Sequence, residues 1–163
     1  MSDLPPPLDN TDRALIRLLR RQPRTSVVEL SRRVGVARNT VQLRLKRMTE
    51  RNILTGFGPD IERRAAGYQV LAFVTLTIAQ GAHELTVDAL AEIDEVLEIH
   101  TITGQGDLLL KVIAATNDHL HKIVQDIAAI AEVERTETQL ALDTPIYRTV
   151  ADLIANTIPE EER

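Results

Sequence analysis

The run Ser26-Val27-Val28-Glu29-Leu30-Ser31-Arg32-Arg33-Val34-Gly35-Val36-Ala37-Arg38-Asn39-Thr40-Val41-Gln42-Leu43-Arg44-Leu45-Lys46-Arg47-Met48 holds two short apolar periods separated by one glycine. Ser26 and Glu29 have capping-box spacing: the serine oxygen accepts from the Glu29 amide and the glutamate reaches back, opening a helix that buries Val27, Leu30 and Val34. Gly35 supplies the positive-φ corner at which this helix stops. After it, Val41, Leu45 and Met48 recur at i, i+4 and i+7, the buried stripe of a second helix. Two helices joined by a tight turn make a helix-turn-helix. Upstream, Asp9 caps a further helix over residues 10–21, with Leu15, Leu18 and Leu19 facing inward, Asp12 in the first turn and Pro23 just past the end.

The side of the last helix that faces away from its apolar stripe carries Asn39, Gln42, Leu43 and Lys46, with Arg38, Thr40, Arg44 and Arg47 on its flanks. Such a face suits a major groove: Asn and Gln pair bidentately with adenine, Arg and Lys with guanine edges or phosphates, and Leu43 can touch a thymine methyl. We expect Arg38, Asn39 and Gln42 on bases. Arg47 and Lys46 are expected on phosphates, as are Arg32, Arg33 and the amides that open the preceding helix. A solvated amphipathic helix would show the same alternation, so charge must weigh in.

Of the 163 residues, the first 64 hold 14 Lys/Arg against 7 Asp/Glu, a balance of +7, and the remainder 5 against 17, a balance of −12. A basic segment ahead of an acidic one predicts that only the first meets a polyanion. With 44% apolar and 26% charged residues the composition is that of a globular chain. The lack of cysteine excludes disulfide scaffolds, thiol catalysis and cysteine-ligated zinc, and an aromatic content of 2% argues against base-stacking platforms. No apolar run approaches the roughly 18 residues of a membrane helix, and the start lacks a signal peptide's basic and apolar regions, so the expected location is the cytoplasm, with no membrane partner. No nucleophile sits beside a plausible base, no phosphate-binding glycine pattern appears, and only Arg135, Arg148 and Arg163 follow residue 64 as arginines. Enzymatic activity and a cofactor are therefore not expected. Nor is a metal: His83, His100, His119 and His121 are scattered, and the last two point apart on a helix.

Residues 68–79 are β-branched and largely apolar on both faces, as in a strand covered on each side. A helix with Leu85, Leu90 and Ile93 follows, then a strand over Val96 to Thr103, a turn at Gly104-Gln105-Gly106-Asp107 and a strand over Leu108 to Ala115. Asp118 is placed to cap a helix with Leu120, Ile123, Val124, Ile127 and Ile130, before a last strand over Val133 to Leu142. The order βαββαβ predicts an α+β chain whose second part is a ferredoxin-like, four-stranded antiparallel sheet with both helices on one face. The other face then needs cover, since Val70, Ala72, Val74 and Leu76 against Leu71 and Phe73 leave little polar surface for water, and a homodimer packed through the sheets supplies it. Residues 145–158 form one more amphipathic segment, with Ile146, Val150, Leu153 and Ile154 on one side.

Leu8-Asp9-Asn10-Thr11-Asp12, Arg24-Thr25-Ser26, Glu29-Leu30, Val34-Gly35-Val36, Val41, Arg44-Leu45, Ile53 and Gly56-Phe57 together resemble the winged helix-turn-helix opening of the leucine- and asparagine-responsive (Lrp/AsnC) regulators. The likeness runs through the second half. It departs at Ala37, where the family usually has a capping serine, and at Gly106, where it often has an aromatic residue. The resemblance implies a winged helix-turn-helix domain over 8–60, a linker over 61–67, a RAM or ACT-like effector-binding and oligomerisation domain over 68–144, and a C-terminal helix and acidic tail over 145–163. It also implies that Thr103, Gly104, Gln105, Gly106 and Asp107, similar to the family's Gly-x-x-Asp loop, bind a small effector together with Thr136 and Thr138. Glycine amides can hold a carboxylate, and Asp107 an α-ammonium group, so an amino acid fits. Gly-Gln-Gly-Asp is also common hairpin punctuation, and threonine a common strand residue.

The function so implied is that of a sequence-specific transcription regulator, acting near the bacterial or archaeal nucleoid. It would bind a pseudo-palindromic duplex operator as a homodimer that assembles into a tetramer or octamer, and respond to an amino acid. A DNA-packaging protein that senses no ligand is the alternative, since it shares every feature of the first half.

Overall fold

The structure, a computed structural model, describes residues 8–56, 58 and 60–156. The chain divides into two compact units: the N-terminal helices together with the segment from Ile146 onward, and Asp60–Pro145.

In the first unit α1 (Asn10–Arg21), α2 (Val27–Val34) and α3 (Arg38–Glu50) close around Leu15, Ile16, Leu19, Leu30, Val41 and Met48, all buried. The cap of α1 is more complete than its sequence suggests. Asp9 Oδ1 accepts from Asp12 N at 2.9 Å and Asp12 Oδ2 accepts from Asp9 N at 3.3 Å, a reciprocal box built from two aspartates. At α2 only half of the expected box forms. Ser26 Oγ accepts from Glu29 N, but the Glu29 carboxylate turns to Arg32 and Arg33, one helical turn on, where charged donors outcompete a backbone amide. Gly35 ends α2 at φ 75°, ψ 25°, and donates to Ser31 O. Between Glu50 and Val70 no strand lies among the described residues, so the expected wing is not seen in them; Phe57, one of the residues that suggested it, lies outside them.

The C-terminal helix α6 (Val150–Asn156) belongs to this unit and is shorter than the expected 145–158, of which 157 and 158 lie outside the described residues. Its inward side also differs from expectation. Ala151 and Ile154 join the core with α1, whereas Ile146, Val150 and Leu153 are exposed. Asp152 fixes the docking, accepting from Arg20 Nε at 2.9 Å and from Thr149 N and Oγ1, each at 2.8 Å. These bonds, the arginine's first, hold its carboxyl well below the ordinary 3.8.

The second unit runs β1 (Val70–Ile78), α4 (His83–Ala91), β2 (Val96–Thr101), β3 (Leu108–Ala114), α5 (Asn117–Ala128), β4 (Val133–Leu140). The sheet order is β2-β3-β1-β4 and every pairing is antiparallel, the ferredoxin-like plan. Ala72, Val74 and Leu76 of β1 sit opposite Val112, Leu110 and Leu108 of β3 and pack with Leu90, Leu120, Ile123 and Ile127 of the helices. Alternation sends Leu71, Phe73, Leu109, Lys111 and Ile113 to the other face. Local details correct the sequence reading in three places. Leu85 of α4 is 64% exposed; buried Thr86 takes the inward place, its hydroxyl donating to Ala82 O at 2.8 Å. Ile93 and Ile130 lie just beyond their helices, still against the core. Thr116, not Asp118, caps α5, accepting from His119 N at 3.1 Å.

Candidate DNA-reading face and effector loop

Val41 and Met48 anchor α3 inward, which leaves Arg38, Asn39, Gln42, Leu43, Lys46 and Arg47 exposed and Thr40 half-buried on one continuous side. Leu43 is 67% exposed at the middle of this face. Among the described residues the side chains of Arg38, Asn39, Gln42 and Arg47 make no hydrogen bond or ion pair, so their donors and acceptors are open to a ligand. Lys46 lies 3.7 Å from Glu50, a loose surface pair. Ala37 enters the helix with φ −60° and ψ 148° but has no side chain to cap it.

Arg32 and Arg33 differ. Both hold Glu29, Arg32 through two bonds of 2.9 and 2.7 Å and Arg33 through one of 2.6 Å, and the glutamate's pKa falls to about 2 under the Arg32 and then the Arg33 hydrogen bond. They can still meet a phosphate, but as a pair that shares one anion. Beside them, Gln22, Pro23, Arg24, Thr25 and Ser26 line an open hollow at the start of α2.

Arg44 differs again. Its Nη1 donates to Asp9 Oδ2 at 2.6 Å and to Asp12 Oδ1 at 2.8 Å, tying α3 to the capped end of α1. The sequence gives its position on the flank of the face but not this engagement, since its partners lie more than thirty residues away.

In the second unit Gly104 and Gly106 take φ 108° and 88°, so the Thr103–Asp107 loop turns in a backbone conformation that favours glycine at both places. At Gly106 space is also decisive: a Cβ there would overlap Thr75 Cγ2 and lie 3.0 Å from Leu76 O. Asp107 N donates to Leu76 O at 2.7 Å, and its Oδ2 accepts from Ile78 N at 2.9 Å. The aspartate therefore already satisfies the end of β1. Thr136 and Thr138 sit opposite Leu76 and Val74 and share their helix-facing side, whereas Gly106 packs beside Thr75 on the open face. Within one chain, Gly106 and the two threonines lie on opposite sides of β1.

A helix-turn-helix with an open, donor-rich second helix, followed by a ferredoxin-like domain with a glycine-aspartate loop, defines a DNA-binding transcription regulator carrying a ligand-binding domain. The AsnC-type helix-turn-helix family model matches residues 8–49, and the Lrp/AsnC ligand binding domain model matches residues 71–151. The chain belongs to the Lrp/AsnC family of transcription regulators, which are not enzymes. It is 31% identical to the regulatory protein AsnC of Escherichia coli K12 over 145 residues, 88% of this chain and 95% of that one. The solved structure of E. coli AsnC superposes with a TM-score of 0.83, covering 89% of this chain and 99% of that chain. The feast or famine regulatory protein of M. tuberculosis, solved in complex with L-methionine, is 30% identical with a TM-score of 0.77 over 86% of this chain and 96% of that one.

Proposed function

We propose that this chain is a sequence-specific regulator whose α3 reads operator DNA and whose second unit binds an amino acid. The observation that carries the reading is the exposed face of α3: Arg38, Asn39 and Gln42 for base edges, Leu43 for a thymine methyl, Lys46 and Arg47 for phosphates, with Thr40 at its border and Arg32 and Arg33 beside the opening of α2. The charge balance of +7 in the first 64 residues supports it. Among the described residues no helix is long and apolar enough to cross a membrane, which fits a regulator working at the nucleoid in the cytoplasm.

The effector reading rests on the family, on the L-methionine complex of the M. tuberculosis relative, and on the Thr103–Asp107 loop. Gly106 and the two threonines lie on opposite sides of β1, which favours a site where copies meet, the loop coming from one chain and Thr136 and Thr138 from another. Self-association through the open sheet face, and of dimers into tetramers or octamers, is part of this proposal. Effector binding then shifts assembly by its differential affinity for the assembly states.

The second reading, a packaging protein without a ligand, is favoured by one observation: Asp107 is already engaged by Ile78 N. Footprinting of the chain on its own upstream DNA, with each of the twenty amino acids and with melting followed in parallel, separates the two. A regulator protects a defined site and at least one amino acid raises its melting temperature, because a ligand of the native state must stabilise it. Protection without a preferred site and no amino-acid response would establish the packaging reading.

A further inference from the structure

The recognition helix needs more than the right side chains. A base-edge contact tolerates little displacement, so the pitch of α3 on the rest of its unit bears directly on sequence preference. Apolar packing by Val41, Leu45 and Met48 fixes the depth of the helix, but rounded side chains along one stripe resist a small rotation less than a directional polar tie does. Arg44 adds that directional tie. It lies between the buried stripe and the exposed reading face, 29% exposed, and one guanidinium nitrogen holds two carboxylates that are themselves locked together in the cap of α1.

We infer that Arg44 is a positioning residue that sets the reading helix by binding the Asp9–Asp12 cap, and that it does not contact the DNA backbone. This rests on the reading that the exposed face of α3 meets duplex. The electrostatics make the claim distinctive. An arginine beside a DNA-facing surface is ordinarily read as a phosphate ligand, and two aspartates beside it as a liability that repels phosphate. If Arg44 positions, the aspartates become necessary: removing their charge weakens specific binding, although simple charge arithmetic says that it should tighten all binding.

The test uses the full chain, a duplex selected from random sequence by the parent chain, and an unrelated duplex, each over a series of salt concentrations. Arg44→Gln and Asp12→Asn are both expected to lose about tenfold in affinity for the selected duplex. Neither loses affinity for the unrelated duplex, and the slope of log affinity against log salt stays at the parent value. The double variant is expected to be no worse than either single one, because both break the same link. Arg44→Lys, which keeps the charge, guards against a folding artefact and is expected to retain most of the preference; circular dichroism checks that each variant is folded. A drop of about one in the salt slope for Arg44→Gln, with equal loss on both duplexes, would make Arg44 a phosphate ligand and overturn the inference. Tighter binding by Asp12→Asn would do the same. A parent chain that selects no sequence would overturn both the functional reading and this one, whereas a selective parent with additive variants overturns this one alone.

Discussion

Single positions in this chain are explained by what surrounds them, and two of them invert what a residue type suggests. Ala37 opens the reading helix in N-cap geometry but offers no acceptor to the orphan amides behind it. Ala37→Ser is expected to add about 1 kcal/mol to the first unit. That is roughly 4 °C in its melting transition, measurable by calorimetry, and an unchanged transition would mean that the amides are satisfied in another way. Gly106 is the position at which the resemblance implies an aromatic residue instead. The structure gives the reason in local terms, since positive φ and the approach of Thr75 and Leu76 O leave no room for a side chain. Gly106→Ala is accordingly expected to cost about 1–3 kcal/mol, seen as a shift of the urea midpoint with unchanged slope. A variant as stable as the parent would show that the loop relaxes freely away from β1.

At the scale of elements, the clasp made by α6 is a polar device set over a small apolar contact. Asp152 sits at the third position of its own helix, bonded to Thr149 at the cap and to Arg20 on α1. Its pKa is depressed in the folded chain, so the unfolded chain binds more protons over the intervening range and stability falls as pH falls there. The clasp is at full strength above about pH 4 and is lost as acid titrates the carboxyl. Asp152→Asn is expected to melt below the parent at pH 7, with the gap between the two melting temperatures narrowing steadily as the pH falls below about 4. Parallel curves from neutral to acid would show that the bridge contributes nothing. The helices and strands themselves were legible in the sequence because periods of 3.6 and 2 are written in the apolar residues, and Gly35 and the loop glycines mark where they stop. What was hidden depended on choices between competing partners. Glu29 had both a cap amide and two arginines within reach, Thr86 took a buried place that pattern reading reserves for leucine, and Thr149-x-x-Asp152 was a visible capping spacing whose partner Arg20 lies 132 residues away. The exposure of Arg38, Asn39, Gln42, Leu43, Lys46 and Arg47 was legible for the same reason as the helix that carries them. The surroundings of Asp107, Thr136 and Thr138 were not, because strand register decides which side of a sheet a residue serves and no local signal states it.

For the whole molecule, the proposed pairing through the open face of the sheet is what would join two copies of α3 into one DNA-reading unit. Its middle is apolar: Leu71 and Ile113 are already buried at 6% and 8% exposure, Leu109 is half-buried, and Phe73 is left 36% exposed between them. Lys111 of the central strand β3, opposite Phe73, is paired at 2.6 Å with Glu98 on the β2 edge, and the β4 edge carries Arg135 and Glu137. An apolar centre inside a polar rim is what a self-complementary interface requires, and a two-fold axis through it lets a residue on one copy meet its counterpart on the next. Phe73→Asp places a charge where the proposed pairing excludes water, yet it empties no core position, so the folded chain should survive and only the pairing fail. Sedimentation is expected to show a monomer with unchanged helix and strand content. Operator affinity should then fall by about a hundredfold or more, because two half-sites roughly 34–36 Å apart no longer receive linked reading heads. Affinity for a single half-site should be untouched, which distinguishes lost pairing from a damaged reader. A variant that sediments with the parent would remove the open face from the assembly, and the cover for Phe73 would then have to be sought in another partner.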